Sequence, residues 1–291
     1  MTSQFKGLLI TFAGVLFVVP DSLFVRLIDA DPLVIAFWRN GLAGGLILIG
    51  LLALKGSAPF REVLSTGRYG ALYIVTLALS GVLFVMAISL TSVANAVFII
   101  AAMPIFASIF SWIFLGERIS LRMVLTIAAV LPGLALIAYG SGETEHASWR
   151  GDLAAVLVAA SFAAGLTAAR RVRHVSMVPA VPMAYCGSAL VLLPFIEPMT
   201  IPADQLVFLP FYAVFIVFSA SLLALGPRYI TSAEVALLIL LESVLAPLLV
   251  WVVLGENPGS WTLIGGTIVI GALAASNLVV LMRKRSAGVR S

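Results

Sequence analysis

One apolar segment occurs twice in this chain, and the repetition constrains the fold more than any other feature. Residues 92–117 and 231–256 align without gaps at a constant offset of 139 positions, and both segments end in Leu-Gly-Glu. The identical pairs are Ala94/Ala233, Ile100/Ile239, Ala107/Ala246, Trp112/Trp251, Leu115/Leu254, Gly116/Gly255 and Glu117/Glu256. Each copy is as long as a membrane-spanning helix, so the repetition predicts two related halves within a bilayer.

The composition supports a membrane location. Of 291 residues, 62% are hydrophobic and 10% are charged, whereas soluble domains carry about 25% charged residues. The net charge of +4 comes from Lys and Arg in short loops and in the C-terminal tail, which is typical of cytoplasmic membrane loops. We therefore expect the lipid bilayer, and no nucleic acid, among the partners of this chain.

Ten segments have the length and apolar character of membrane-spanning helices. They are residues 5–28, 32–54, 69–90, 92–115, 121–139, 151–169, 178–196, 206–226, 232–254 and 260–282. The first segment continues past Pro20 and Asp21 without a small-residue cleavage site, so we interpret it as an uncleaved span rather than a signal peptide. The predicted fold class is an all-α integral membrane protein with ten transmembrane helices.

The distribution of Lys and Arg gives the orientation. With the N-terminus in the cytoplasm, 14 of the 17 basic residues fall on the inside. Arg26, Arg39 and Arg150 fall on or near the outside. Because cytoplasmic loops carry the excess of basic residues, both termini are predicted to be cytoplasmic, as in a multi-pass protein of the inner (plasma) membrane.

Ten spans in two repeats give five helices per repeat. Since five is odd, the second repeat crosses the membrane in the opposite direction to the first. The sequence thus predicts a first repeat over residues 1–141, a polar linker over 142–149 and an inverted second repeat over 150–291. Inverted repeats of this kind are typical of secondary transporters, whose substrate site lies near the midplane between the two halves.

The chain resembles the EamA-type ten-helix branch of the drug/metabolite transporter superfamily. The residues that carry the resemblance are the two Leu-Gly-Glu ends at 115–117 and 254–256, Pro104, Leu241-Glu242-Ser243-Val244, and Phe37-Trp38-Arg39. The second repeat departs from the usual Glu-Pro pairing, since Ser243 follows Glu242 and the proline comes later, as Pro247. This departure suggests that the kink of the ninth helix is displaced.

The resemblance implies export or exchange of small metabolites through a central cavity lined by the first, third, fourth, sixth, eighth and ninth helices. Within the superfamily the chain is similar to bacterial amino-acid exporters, including the aromatic amino-acid exporter group. The cavity candidates on those helices are Phe17, Phe98, Ser161, Phe162 and Tyr212. The aromatic rings suit a flat apolar substrate, but they could equally pack against neighbouring helices or lipid.

Acidic and polar side chains within the spans are the strongest candidates for substrate contact, because burying a charge in lipid is costly. Glu242 is near the middle of the ninth span, where its counterpart in the first repeat is Met103. It could hold a substrate ammonium or a proton, or it could fix the packing of a neighbouring helix. Asn95 and its counterpart Glu234 could line opposite vestibules, or could simply lie near the water boundary.

Asp21 and Arg39 are predicted to pair. Each lies about seven residues from the outer end of its span, which corresponds to a depth of roughly 10 Å. Antiparallel neighbours at equal depth can form an ion pair, which offsets the cost of burying both charges. The alternative is that Asp21 is released from Arg39 when substrate binds.

Several residues are predicted to shape or move the helices. Pro20, Pro104 and Pro247 would kink the first, fourth and ninth helices, because proline removes a backbone hydrogen bond. Such kinks could act as gates, or serve packing alone. Gly116 and Gly255 suit the left-handed end of a helix, and we interpret Gly116-Glu117 and Gly255-Glu256 as structural.

Other classes of protein fit the sequence less well. It has no HExxH, GxSxG or Walker A motif and no cluster with metal-ligand spacing, so we expect no enzyme activity, metal or cofactor. A scaffold subunit would not need Glu242 within a span. Multidrug efflux and nucleotide-sugar exchange remain alternatives to amino-acid export, and neither the coupling to protons nor the oligomeric state follows from the sequence.

Overall fold

The computed structural model describes residues 3–116, 121–140, 148–172, 174–225, 229 and 232–288. The regular elements in these residues are helices, and all but one short helix overlap the ten predicted segments. They are α1 (Ser3–Val18), α2 (Asp21–Leu27), α3 (Pro32–Lys55), α4 (Ala58–Ser65), α5 (Arg68–Leu90), α6 (Val93–Ile100), α7 (Met103–Leu115), α8 (Leu121–Gly140), α9 (Trp149–Arg171), α10 (Ala180–Leu192), α11 (Phe208–Leu225), α12 (Ser232–Leu254) and α13 (Ser260–Gly288), with a 3₁₀ turn at Leu193–Phe195.

Six helical segments in the described residues are long and apolar enough to cross a bilayer. They are Phe5–Leu27, Pro32–Lys55, Arg68–Leu90, Val93–Phe114, Trp149–Arg171 and Phe208–Leu225. Four further apolar helices are shorter, at Val124–Ile137, Ala180–Phe195, Leu241–Leu254 and Ser260–Ala272. The chain is therefore a helical membrane protein with six clear spans, while the count of ten stays a prediction.

Two of the three predicted proline kinks are breaks in a helix. The first span is interrupted at Val19 and Pro20, and the fourth is interrupted at Ala101 and Ala102, just before Pro104. Because proline cannot donate a backbone hydrogen bond, the helix ladder is open at these points. The ninth span behaves differently, since α12 continues through Pro247 as a helix.

One helix lies outside the ten predicted segments. Residues 58–65 form α4, which begins with Pro59 in its first turn. Its one buried side chain, Val63, packs with Val172, Met177 and Ala180, which lie at and after the end of α9. This short helix escaped prediction because eight residues are far fewer than the roughly 20 apolar residues of a membrane span, although Phe60, Val63 and Leu64 do follow a helical spacing.

The helices of the two halves pair across the repeat boundary in a symmetric way. The first span packs on the eighth (α1 on α11), and its symmetry counterpart is the contact between the sixth and third spans (α9 on α5). The second packs on the seventh (α3 on α10), the fourth on the ninth (α6 on α12) and the fifth on the tenth (α8 on α13). If each span is replaced by its counterpart in the other repeat, the same pairs of spans are in contact, as expected for two structurally related halves.

Glycines permit the closest of these contacts. A Cβ at Gly44 of α3 would lie 2.9 Å from the backbone nitrogen of Cys186 in α10. Gly133 of α8 and Gly265 of α13 face each other, and a Cβ on Gly265 would lie 2.5 Å from the carbonyl oxygen of Gly133. Small residues at helix crossings are how membrane helices approach one another.

Candidate functional site

A buried ion pair between Asp21 and Arg39 forms the centre of the candidate site. Asp21 is the first residue of α2, directly after the break at Pro20, and Arg39 lies on α3. The guanidinium donates from Nε to Oδ1 at 3.0 Å and from Nη2 to Oδ2 at 2.5 Å. Both side chains are almost fully buried. The pairing expected from their equal depths is therefore present.

Tyr212 on α11 completes this ion pair from the second repeat. Its hydroxyl donates a 2.6 Å hydrogen bond to Asp21 Oδ1, and its ring stacks on Phe24 with centroids 5.1 Å apart. Tyr212 was a cavity candidate for its aromatic ring. The structure shows a different contact, in which the hydroxyl holds the Asp21 carboxylate.

Arg39 has further partners besides Asp21. Its Nη1 donates to Asn40 Oδ1 at 2.8 Å, and Asn40 Nδ2 donates to Ser188 Oγ on α10 at 3.0 Å. The guanidinium carbon lies 5.6 Å from the ring centroid of Phe84 and 5.8 Å from that of Tyr185. A charge this well surrounded is neutralised and oriented by the protein, so it is poorly placed to bind an anion.

Glu242 has a different environment from Asp21. It lies on α12, which packs against α1 and α2, and its side chain is half-buried. The charges that act on it are those of Asp21 and Arg39. Among the described residues it has no hydrogen-bond donor or ion-pair partner. Within that part of the spans, Glu242 is thus the acid whose charge is not already matched.

A second charged group lies at one end of the bundle. Glu256, just after α12, pairs with Arg26 at 3.0 Å (Oε2 to Nε) and accepts from the backbone nitrogen of Val93 at 2.9 Å. Arg26 also donates to the carbonyl oxygen of Thr91 at 2.7 Å, and the Thr91 hydroxyl donates to Asp152 on α9 at 2.8 Å. We call these five residues the Glu256 cluster, and this end of the molecule the Glu256 end.

The Glu256 cluster joins both repeats. Glu256 comes from the second half and binds the N-terminus of α6 in the first half, where a negative charge is favourable next to unpaired backbone N–H groups. Because α6 begins where α12 ends, these two symmetry-related helices run in opposite directions. The sequence interpretation of Gly255-Glu256 as structural did not foresee its partner.

Asn95 and Phe98 contact α13 in this structure. The hydroxyl of Thr262 donates to Asn95 Oδ1 at 2.7 Å. A Cβ on Gly266 would lie 2.3 Å from the ring of Phe98, so this glycine makes room for the aromatic side chain. For Phe98 these contacts agree with the packing alternative. Asn95 is fully buried, a position that neither the vestibule nor the water-boundary interpretation expected, and the part that both residues play in a substrate site stays a prediction.

The other cavity candidates are spread along the bundle. Phe17 lies in an aromatic group with Phe215 and Phe218 of α11, at centroid distances of 5.9 and 5.0 Å. Ser161 is half-buried on α9. Phe162 lines a small cavity between α5 and α9 together with Tyr73, Thr76, Leu77, Gly165 and Leu166. The polar partners of the Asp21–Arg39 pair in the described part of the chain are Tyr212 and Asn40 rather than any of these three candidates.

The glycines of the Leu-Gly-Glu ends have the expected backbone conformation. Gly116 has φ +69° and Gly255 has φ +73°, the left-handed region in which glycine ends a helix without strain. Glu117 lies outside the described residues, as does the side chain of Glu234. The role of Glu117 therefore stays a prediction.

The sequence analysis identified the charged residues of the site but missed several of their hydrogen-bond and ion-pair partners. Tyr212 was selected for its ring, and Asn40 and Ser188 were not selected at all. The equal-depth argument used for Asp21 and Arg39 would also have paired Arg26 with Glu256, because both are placed at the outer end. In the residues that the structure describes, no group of three His, Cys, Asp or Glu side chains could hold a metal ion.

Comparisons with known proteins agree with this architecture. The profile of the EamA-like transporter family matches residues 3–139 and 149–278. No curated protein matches the sequence. A solved crystal structure is similar over 97% of this chain and 99% of its own chain, with a TM-score of 0.66 and 20% identity. At this identity the likeness shows a shared fold.

Proposed function

The chain belongs to the EamA-like transporter family, and on that premise we propose that it exports small organic solutes. The proposed substrates are amino acids, aromatic or otherwise apolar, and the proposed mechanism is alternating access through a cavity between two inverted repeats. One observation carries the proposal: Glu242 offers an unmatched carboxylate beside a buried ion pair, which suits a solute with an ammonium group.

The proposed topology has ten spans, four of which are the shorter apolar helices. The protein is proposed to lie in the inner (plasma) membrane with both termini in the cytoplasm. The two halves are residues 1–141 and 150–291, joined by the linker at 142–149. In this orientation the Glu256 end faces outward and the ends that carry Arg68 and Arg171 face the cytoplasm.

Alternating access requires that contacts at one end break while contacts at the other form. The Glu256 cluster joins the repeats at the proposed outer end, which under this mechanism supports assigning the structure to a state closed to the outside. The breaks at Pro20 and before Pro104 lie in two spans of the proposed cavity. They are suitable hinges because Pro20 and Pro104 cannot donate to the helix ladder, which weakens it at these points.

The charges at the site favour amino-acid export over nucleotide-sugar exchange. A pyrophosphate needs free basic side chains, preferably arginine. Arg39 is buried at the relevant depth, but Asp21, Asn40 and two aromatic rings already surround it. Multidrug efflux of organic cations is the second candidate, since an unmatched Glu242 would also suit a cationic drug.

The test is flux in liposomes that contain this protein alone. Labelled phenylalanine, leucine and an organic cation are compared, each with and without a pH gradient. Saturable amino-acid flux supports the proposal, and its loss in Glu242→Gln, but not in Glu197→Gln, the same change at an exposed glutamate, assigns recognition to the carboxylate. Flux of the organic cation alone would favour the multidrug alternative, and an absence of flux for every solute would contradict transport. A response to the gradient that disappears in Glu242→Gln would assign proton coupling to this residue.

A further inference from the structure

Two arginines from different helices converge on one tyrosine at the end of the bundle opposite the Glu256 cluster. Nη2 of Arg68 donates to the hydroxyl of Tyr69 at 3.2 Å, and the guanidinium carbon of Arg68 lies 5.0 Å from the centroid of the Tyr69 ring. Arg171 is the last residue of α9 and precedes Val172, which lies in the buried cluster that Tyr69 packs against; its charge acts on the same hydroxyl. We call these three residues the Tyr69 site.

The charges of the Tyr69 site are not neutralised by the protein. Neither arginine has an ion-pair partner among the described residues, and both are exposed. Glu62 is the one acid in the stretch from residue 55 to 73, and the stretch from 165 to 180 contains none. This differs from Arg39, whose charge is paired with that of Asp21.

The site is held in place by buried side chains. Tyr69 and Tyr73 pack against the cluster of Val63, Val172 and Met177, which ties α4 and the residues after α9 to the start of α5. The helices α5 and α9 pack closely, and a Cβ on Gly165 would lie 2.8 Å from Thr76 Oγ1. The spacing between the two arginines is therefore set by the fold.

An apolar stripe continues from the site along α5. Leu72, Val75 and Leu79 follow Arg68 at intervals of four, three and four residues, and all three are exposed. This spacing places them on the same face of the helix as Arg68. The surface thus combines a doubly basic end with an apolar strip, as a phospholipid combines a phosphate with acyl chains.

We propose that Arg68, Tyr69 and Arg171 bind the headgroup phosphate of an anionic phospholipid whose acyl chain lies along Leu72, Val75 and Leu79. Guanidinium groups bind phosphate oxygens through paired N–H donors, and the Tyr69 hydroxyl supplies a further donor. The lipid occupies the leaflet next to this end of the bundle. The inference does not depend on the proposed transport activity.

The experiment measures lipid binding to the purified full-length protein. Dioleoylphosphatidylglycerol and dioleoylphosphatidylcholine are titrated separately, with thermal stabilisation and native mass spectrometry as readouts. We compare Arg68→Gln/Arg171→Gln with the control Lys55→Gln/Arg61→Gln, which removes the same charge from exposed positions at the same end. The site variant should bind phosphatidylglycerol about 30-fold more weakly, from the usual contribution of each basic residue near an anionic lipid. The control should stay within about threefold of the parent protein.

Three results would overturn the inference. The parent protein could show no preference for phosphatidylglycerol over phosphatidylcholine, or both double variants could lose binding equally, which would indicate a diffuse positive field. Inorganic phosphate could also stabilise the protein as strongly as the lipid does, which would indicate a soluble anion.

Should the glutamine variant fail to fold, Arg68→Lys/Arg171→Lys keeps both charges but loses the planar donors. Weaker phosphatidylglycerol binding by this variant supports the site, and unchanged binding contradicts it.

Discussion

Arg26 and Glu256 form a 3.0 Å ion pair although 230 residues separate them in the sequence. Arg26 belongs to the first repeat and Glu256 to the second, and Glu256 also caps the start of α6 through the backbone nitrogen of Val93. The side chains are only about 15% and 13% exposed. The pair therefore connects the ends of α2 and α12 with the start of α6 across the repeat boundary. Because both side chains are largely buried, solvent screens their attraction only partly.

The first prediction is that Glu256→Gln opens the Glu256 end. The amide keeps an oxygen for Val93 but loses the charge that binds Arg26, so the closed state should lose about 1–2 kcal/mol, or roughly 5- to 30-fold in population. A reporter Ala94→Cys, at a position that is 2% exposed, is placed in a Cys186→Ser background. Its labelling by a membrane-impermeant maleimide should become faster.

Arg150→Gln is the matched control, because Arg150 is an exposed cation at the same end and lies outside the Glu256 cluster. It should leave the labelling rate unchanged. Equal labelling rates in the Glu256→Gln and parent proteins would show that the ion pair does not hold this end closed.

The second prediction concerns the buried pair of Asp21 and Arg39. Asp21→Asn leaves the Arg39 charge without its counterion in the bundle, which should cost about 3–5 kcal/mol of stability. Tyr212→Phe removes one hydrogen bond to Asp21 and should cost about 1–2 kcal/mol. The unfolding temperature in detergent should therefore decrease from the parent protein to Tyr212→Phe and further to Asp21→Asn.

Tyr139→Phe controls for the loss of a phenol, since Tyr139 is exposed, and it should unfold like the parent protein. The double variant Asp21→Asn/Arg39→Gln removes both charges and should be more stable than Asp21→Asn alone. If the double variant were the less stable of the two, the pair would not be compensating charges. The charge-reversed pair Asp21→Arg/Arg39→Asp tests function separately, since restored folding without flux would assign Asp21 a role beyond packing.

The third prediction uses neighbouring glycines on α3. A Cβ at Gly44 would lie 2.9 Å from Cys186, whereas one at Gly45 would meet nothing within 4 Å. Gly44→Ala should therefore force α3 and α10 apart and cost about 1–3 kcal/mol. Gly45→Ala should be neutral or stabilise the helix by about 0.5–1 kcal/mol. Equal unfolding temperatures for the two variants would show that α10 does not lie so close to α3.

These glycines also show the limit of the sequence analysis. The hydrophobic runs and prolines were enough to place the long apolar helices, though not α4, and the breaks at Pro20 and before Pro104, because these depend on local chemistry. Which face of a helix meets its neighbour depends on the rotation of both helices. A Gly41/Gly45 spacing is visible in the sequence, yet the closest approach is at Gly44.

The packing of the helices also decides which contacts of the candidate site could be predicted from the sequence. Equal depth was sufficient to pair Asp21 with Arg39, although α3 is not among the helices that α1 and α2 pack on most closely. Tyr212 lies 191 residues from Asp21, and the contact exists only because the first and eighth spans pack together. Depth alone cannot show that packing, so the hydroxyl partner of Asp21 was outside the reach of the sequence.

The fourth prediction is that Glu242 recognises the ammonium group of the substrate. Phenylalanine is compared with 3-phenylpropionate, which has the same ring and carboxylate but no amine, as competitors of labelled phenylalanine flux. A hydrogen bond to a charged group contributes about 1.5–3 kcal/mol, so the parent protein should prefer phenylalanine by roughly 10- to 150-fold. Glu242→Gln should lose most of this preference because its amide carries no charge. Glu242→Asp keeps the charge and should retain part of it. If Glu242→Gln discriminated between the two solutes as well as the parent protein does, the carboxylate would be a packing residue and the ammonium would bind elsewhere.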